Sequence, residues 1–245
     1  MGLDYAKAGF PIREDLPDSH REAWRRLASA GTWWSGAERV AIAAEVRAAR
    51  DCALCTARKD SLSPAAVSGV HDGPGELRPA VIEVIHRLTT DPGRLSKSWF
   101  DRVCADGLDE GPYVETVGVV AAVVSIDSFC RGIGVALHDL PEPLAGEPSR
   151  YRPAAARDDG AWVPMLPNRR PRGDEADLWS TPGTGNVIRA MSLVPDEVRT
   201  LNLLSASHYL PMEKVIDLRK GREGVTREQI ELLAGRVSAL NECFY

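Results

Sequence analysis

The chain is poor in aromatic residues, has no long apolar run, and carries no excess of positive charge. Aromatic side chains make up 6% of its 245 residues, and no segment alternates apolar and polar residues cleanly. That argues against a β-rich fold. The longest predominantly apolar stretch, Val117 to Ile126, covers ten residues before Asp127 and includes Ser125. A membrane span needs about 20, so this stretch reads as a buried helix segment. Lys plus Arg number 30 against 35 Asp plus Glu, a formal net charge of -5. Nucleic-acid binding requires a basic surface to neutralise phosphate, so a nucleic-acid partner is not expected. The opening residues contain no apolar h-region and Ala6 stands where a myristoylation signal needs Ser or Thr. No membrane partner is expected, and the location expected is the cytoplasm.

Cysteine is sparse and odd in number: Cys52, Cys55, Cys104, Cys130 and Cys243. An odd set in an unexported chain argues against a disulfide framework. Only Cys52 and Cys55 form a local pair, and a CxxC in a reducing compartment is either redox-active or half of a metal site.

What is present is helical signal. Ser63-Pro64 offers a cap followed by proline at the first helical position. Ser96 precedes a second start. Asp109 precedes a third, with Tyr113, Val117, Val120, Ala121 and Val124 on one face. Leu77 to Thr89 gathers Val81, Val84, Ile85 and Leu88. The fold expected is all-α. Between Pro141 and Gly185 lie eight of the 17 prolines, five of the 21 glycines and the basic run Asn168–Arg172, with no sustained apolar period. This segment reads as a connector draped over the surface, its basic run a solvated loop. It divides the chain into an N-terminal helical unit (1–140), the connector (141–185) and a C-terminal helical unit (186–245).

Two segments align with each other. Ser35 with Glu38 and Thr226 with Gln229 are capping boxes, and each precedes a cysteine, Cys52 or Cys243, at the same offset. The shared cap, offset and flanking residues favour an internal repeat. Eleven residues separate Glu231 from Cys243. The stretch from Gln229 to Tyr245 resembles the redox helix of the alkyl hydroperoxidase D-like proteins, relatives of carboxymuconolactone decarboxylase. Their motif is a glutamate, eleven residues, Cys-x-x-Cys, three residues and a histidine. The sequence ends at Tyr245, before the second cysteine and the histidine of that motif would fall. The first segment has both thiols, Cys52 and Cys55, but Val40 stands at the glutamate position and Lys59 at the histidine position. A third echo runs through Glu115, Asp127, Cys130 and Gly134. The resemblance loosely covers residues 30–140 and 186–245. It implies an all-helical fold of related units, homo-oligomeric assembly, and peroxide reduction by thiols.

The expected chemistry follows from those residue types. A thiolate attacks the peroxide oxygen, a base such as histidine relayed to glutamate removes the thiol proton, and a neighbouring thiol closes a disulfide. The reading is therefore a thiol-dependent, peroxidase-like oxidoreductase. Its site residues would be Cys52, Cys55, Cys243 and Glu231, it would use no cofactor, and its partners would be a peroxide and a thiol or dithiol reductant. One base converts a cysteine codon to UGA, so the natural protein is also expected to be a candidate selenoprotein, with selenocysteine at position 246 and histidine near 250. Two alternatives stay open: a carboxymuconolactone decarboxylase-like lyase, and a non-catalytic helical subunit. As half of a zinc site, Cys52 and Cys55 lack a second CxxC, and His71 and His86 do not have the usual ligand spacing. Thr56 after Cys55 rules out a c-type haem attachment. Cys104 and Cys130 read as small buried hydrophobes, His71 as part of a turn with the alternative of a substitute base swung towards the CxxC, and Glu231 as buried beside Ile230, Leu233 and Ala234.

Overall fold

Side-chain caps set several helix starts, two of them by the same device. In the computed structural model, Ser35 caps a helix through the Glu38 backbone N–H while the Glu38 carboxylate accepts from the Ser35 N–H. Thr226 and Gln229 do the same. The structure describes every residue except 1, 2, 4, 181, 242, 244 and 245. Among the described residues the fold is all-α. The helices are α1 (Asp15–Ala28), α2 (Gly36–Ala49), α3 (Ala53–Asp60), α4 (Pro79–Thr90), α5 (Lys97–Ala105), α6 (Glu110–Gly132), α7 (Asn186–Arg189), α8 (Pro195–His208), α9 (Met212–Val215) and α10 (Arg227–Leu240). Among those residues, β-pairing is confined to isolated bridges at Arg157–Met165 and Arg222–Val225.

Proline and serine explain further starts. Pro79 and Pro195 occupy the first turns of α4 and α8, where a missing N–H costs nothing. Ser96 accepts from the Trp99 N–H at the start of α5. Ser63 differs from expectation: its side chain makes no cap bond, and Pro64–Ala66 forms only a single 3-10 turn.

α6 is the central helix, with α2, α4 and α8 packed against it and α1 packed on α8. By length and composition alone, Glu110–Gly132 could cross a membrane. Here it is apolar nearly all round because neighbouring helices surround it. Ile42 of α2, Val81, Val84 and Ile85 of α4, and Val123 and Ile126 of α6 have no exposed surface. Burying each such side chain stabilises the fold by about 1.5–3 kcal/mol.

One apolar cluster runs from Leu3 to Leu204. The Pro-rich segment is irregular, as expected, but it is not merely draped over the surface. Its Val163, Leu166, Leu178 and Trp179 enter that cluster, and Met165 is buried as well. Isolated apolar residues among prolines and glycines show no period in the sequence, yet each can be buried singly. The buried Arg189 guanidinium donates to the Leu166 carbonyl at 3.0 and 3.2 Å, satisfying backbone that no helix satisfies.

α2 and α10 share a capping box and a length of 14 residues, but their surroundings differ. α2 is packed against α1, α4 and α6. Leu232, Leu233, Val237 and Leu240 of α10 are exposed.

α1 also meets α8 through paired histidines. His20 Nε2 lies 2.6 Å from His208 Nε2, and Tyr5 Oη is hydrogen-bonded to His20 Nδ1. Burial, then the neighbouring His208 and His138, push the His20 imidazole down to about 3. Burial, then Arg13, lowers His208, with Asp15 opposing. An unfolded His20 takes a proton near pH about 6.5, whereas the folded one stays neutral. The stability it permits is therefore complete above that pH and lost as pH falls toward the folded value. His20 alone should contribute a slope of about 1.4 kcal/mol per pH unit in that window. Urea midpoints should fall between about pH 7 and about pH 5, and His20→Gln should flatten the fall. An equally steep fall in the variant would remove His20 from the explanation.

Candidate functional site

Cys52 is the cap residue of α3, with extended backbone, and its own side chain caps nothing. That role passes to Asp72, whose Oδ2 accepts from the Ala53 N–H at 2.8 Å. Asp72 thereby pins residues 67–77, a loop without regular structure, over the start of α3. Arg58 on the last turn of α3 holds the same loop, donating to the Val67 carbonyl at 3.0 Å. The loop carries His71 onto both sulfurs. His71 Nδ1 lies 3.6 Å from Cys52 Sγ and 3.5 Å from Cys55 Sγ.

α4 contributes a second imidazole. His86 Nδ1 is 3.3 Å from Cys55 Sγ. The donor atoms of Cys52, Cys55, His71 and His86 all lie within 4.8 Å of one another. Each histidine is held from behind by a carboxylate. His71 Nε2 is 2.9 Å from Glu83 Oε2, and His86 Nε2 is 3.1 Å from Glu45 Oε2. Glu83 also accepts from Arg58 at 2.7 Å and from Trp99 Nε1 at 3.1 Å. Glu45 is buried on α2 and accepts from the Gly75 N–H at 2.7 Å. Gly73 makes that approach possible, because a Cβ there would sit 2.3 Å from Glu45 Oε2.

The electrostatics are those of a tightly coupled cluster. Burial pushes the Cys52 thiol up, but hydrogen bonds from the Cys55 and Asp72 backbone and from His71 outweigh it and lower it overall. Burial opposes the charged form of His71, yet its bonds to Cys55, Glu83 and Cys52 raise it to about 10. Glu83 is raised by burial but brought down to about 2 by His71, Arg58 and Trp99. His86 is lowered, chiefly by burial, with Glu45 opposing.

Neither sulfur is open to solvent: Cys52 is 0% and Cys55 3% exposed. A cleft of about 1240 Å³ lies alongside, lined by His71, Glu83, Trp99, Arg58, Arg87 and Arg94 among others. His71 and Glu83 thus border both the cleft and the sulfur cluster.

The structure brings Cys52 and Cys55 together with each other and with partners of the right chemistry. It does not bring Glu231 into a buried relay. Glu231 is exposed on α10, where Tyr209 donates to it and Arg227 Nε lies at 2.5 Å, holding its carboxyl below the usual range. The apolar residues beside it, Leu232 and Leu233, face outward with it, so neighbours in sequence were a poor guide to burial. Cys243 is an exposed free thiol. Its motif neighbours Glu242, Phe244 and Tyr245 lie outside the described residues. Cys130 is buried and Cys104 partly buried. His71 is not merely a turn residue, and the objection that His71 and His86 have the wrong spacing is overturned: the loop and α4 return both rings to the CxxC.

Glu45, Glu83 and Arg58 went unnoticed in the sequence. A faint signal existed for two of them. Glu83 and His86 are three apart on α4, which places them on neighbouring parts of one face, and Glu45 interrupts the apolar stripe of Ile42, Ala43, Val46 and Ala49. No family model, curated protein or solved structure matches this chain.

Proposed function

We propose that the protein is a thiol-dependent, peroxidase-like oxidoreductase working through a Cys52–Cys55 dithiol/disulfide cycle. The observation that carries this reading is the placement of both sulfurs on one imidazole nitrogen, with the other nitrogen held by Glu83 at the cleft. That is the arrangement an activated thiol nucleophile needs: a sulfur, a base, and a group that orients the base.

In the cycle, one thiolate attacks the terminal oxygen of a hydroperoxide and breaks the O–O bond, giving a sulfenic acid and an alcohol. The second thiol displaces water from that sulfenic acid and closes the disulfide. Two thiols and one hydroperoxide thus give one disulfide, one alcohol and one water. A thiol or dithiol reductant restores the pair by exchange. His71 takes up and returns the protons, while Glu83 fixes the ring. The hydroperoxide approaches along the cleft and past His71, because the sulfurs themselves lie behind it.

The carboxymuconolactone decarboxylase-like alternative has no use for a dithiol held on histidine, and this cluster favours the redox reading over it. Mass spectrometry before and after one equivalent of hydroperoxide tests the proposal. Metal-free, reduced protein should lose two hydrogens, mapped to Cys52–Cys55, and the Cys52→Ser/Cys55→Ser double variant should consume no peroxide while keeping its helicity. Thiols at 52 and 55 that stay free under excess peroxide would sink the reading.

A further inference from the structure

The same four side chains make a second kind of site. We infer that, when reduced, Cys52, Cys55, His71 and His86 bind a single zinc ion tetrahedrally, and that oxidation of the two sulfurs expels it. The metal-binding half stands on geometry alone; the expulsion half rests on the peroxide chemistry proposed above.

Four features carry it. Zinc bonds of about 2.3 Å to sulfur and about 2.0–2.1 Å to imidazole nitrogen, at tetrahedral angles, put sulfur about 3.6 Å from nitrogen. Three of the four S···N separations are 3.3, 3.5 and 3.6 Å, and the fourth, Cys52 to His86, lies within 4.8 Å. Two cysteines and two histidines are also a donor set that selects zinc over hard cations such as magnesium or calcium.

The outer shell fits as well. Metal-bound histidines commonly donate their remote N–H to a carboxylate, which fixes the ring and the tautomer. Both histidines do so here, through Glu83 and Glu45. With Nε2–H given to a carboxylate, each Nδ1 faces the sulfurs, where zinc would take the place of any proton shared with them. Cys52 Sγ further accepts from the Asp72 backbone N–H at 3.4 Å, a bond that favours thiolate.

Burial supplies the last feature. Cys52 and His86 are 0% exposed and Glu45 1%. The two thiols and His86 are buried while His71 borders the cleft, so the four donors face one another in a site that an ion can reach from the cleft side. A divalent cation with two thiolates and two neutral imidazoles forms a neutral unit.

The expulsion step balances. Two zinc-bound thiolates, one hydroperoxide and two protons give one disulfide, one alcohol, one water and one free zinc ion. Of the two sulfur lone pairs that held the metal, one goes to the peroxide as its O–O bond breaks and the other becomes the S–S bond, and two histidines alone do not hold zinc against a chelator.

The test uses the full chain, reduced and stripped of metal. Zinc, or cobalt as its spectroscopic substitute, should bind at one equivalent, with a thiolate-to-cobalt charge-transfer absorption. Cys52→Ser and His86→Gln should each lose that equivalent, and Glu45→Gln should bind 10–100-fold more weakly. Adding hydroperoxide to the zinc form should release the metal to a chromogenic chelator as two thiols disappear. No binding by folded wild-type protein, or unchanged binding by His86→Gln, overturns the site. Zinc retained after the two thiols are oxidised overturns the expulsion. Failure of the metal-free protein to react with peroxide instead counts against the redox reading and the expulsion that rests on it, and leaves the zinc site standing, since zinc stoichiometry is measured before any oxidant is added.

Discussion

Replacing Arg39 by alanine should cost about 3–5 kcal/mol, a large share of the about 5–15 kcal/mol that holds an ordinary domain together. Arg39 on α2 is 4% exposed. Its Nη1 donates to Glu115 on α6 at 2.5 Å and to Glu197 on α8 at 2.8 Å. Glu115 is 0% and Glu197 2% exposed. Burial raises the Glu115 carboxyl, and Arg39 opposes that rise. Removing the guanidinium strands two carboxylates in an apolar core, and that stranding, rather than the lost attraction, accounts for most of the cost. Urea unfolding monitored by helicity measures it. The triple variant Arg39→Met, Glu115→Gln, Glu197→Gln should be milder than Arg39→Ala, because it leaves no buried charge. A loss below about 1 kcal/mol for Arg39→Ala would show the triad to be incidental.

His71→Ala should slow disulfide formation by about 10²–10⁴-fold in metal-free protein, the usual contribution of a positioned base. The ring touches both sulfurs and is oriented by Glu83. Added imidazole should restore part of the rate by entering from the cleft that His71 borders. A merely structural role for His71 would not respond to imidazole. Stopped-flow oxidation with and without imidazole separates these outcomes, and an unchanged rate in the variant would remove His71 from the chemistry.

The helices were largely legible from the sequence because their signals are local. Ser35, Ser96 and Thr226 cap where expected, and the Leu77–Thr89 period becomes Pro79–Thr90. The site was only half legible. Cys52 and Cys55 announce themselves by being three apart, whereas His71 and His86 reach them through a loop whose path depends on Asp72, Gly73 and Arg58. No fixed ligand spacing records such a path. Glu231 erred in the other direction. Its place in a family-like motif and its apolar neighbours suggested burial, but the fold leaves that face of α10 uncovered.

The segment from Pro141 to Gly185 has a consequence beyond its own shape. Because Val163, Leu166, Leu178 and Trp179 share a core with α1, α2, α4, α6 and α8, the chain from α1 to α8 should melt as one cooperative unit. Neither the helices before this segment nor α8 after it can be replaced by foreign ones without rebuilding the apolar surface that it supplies.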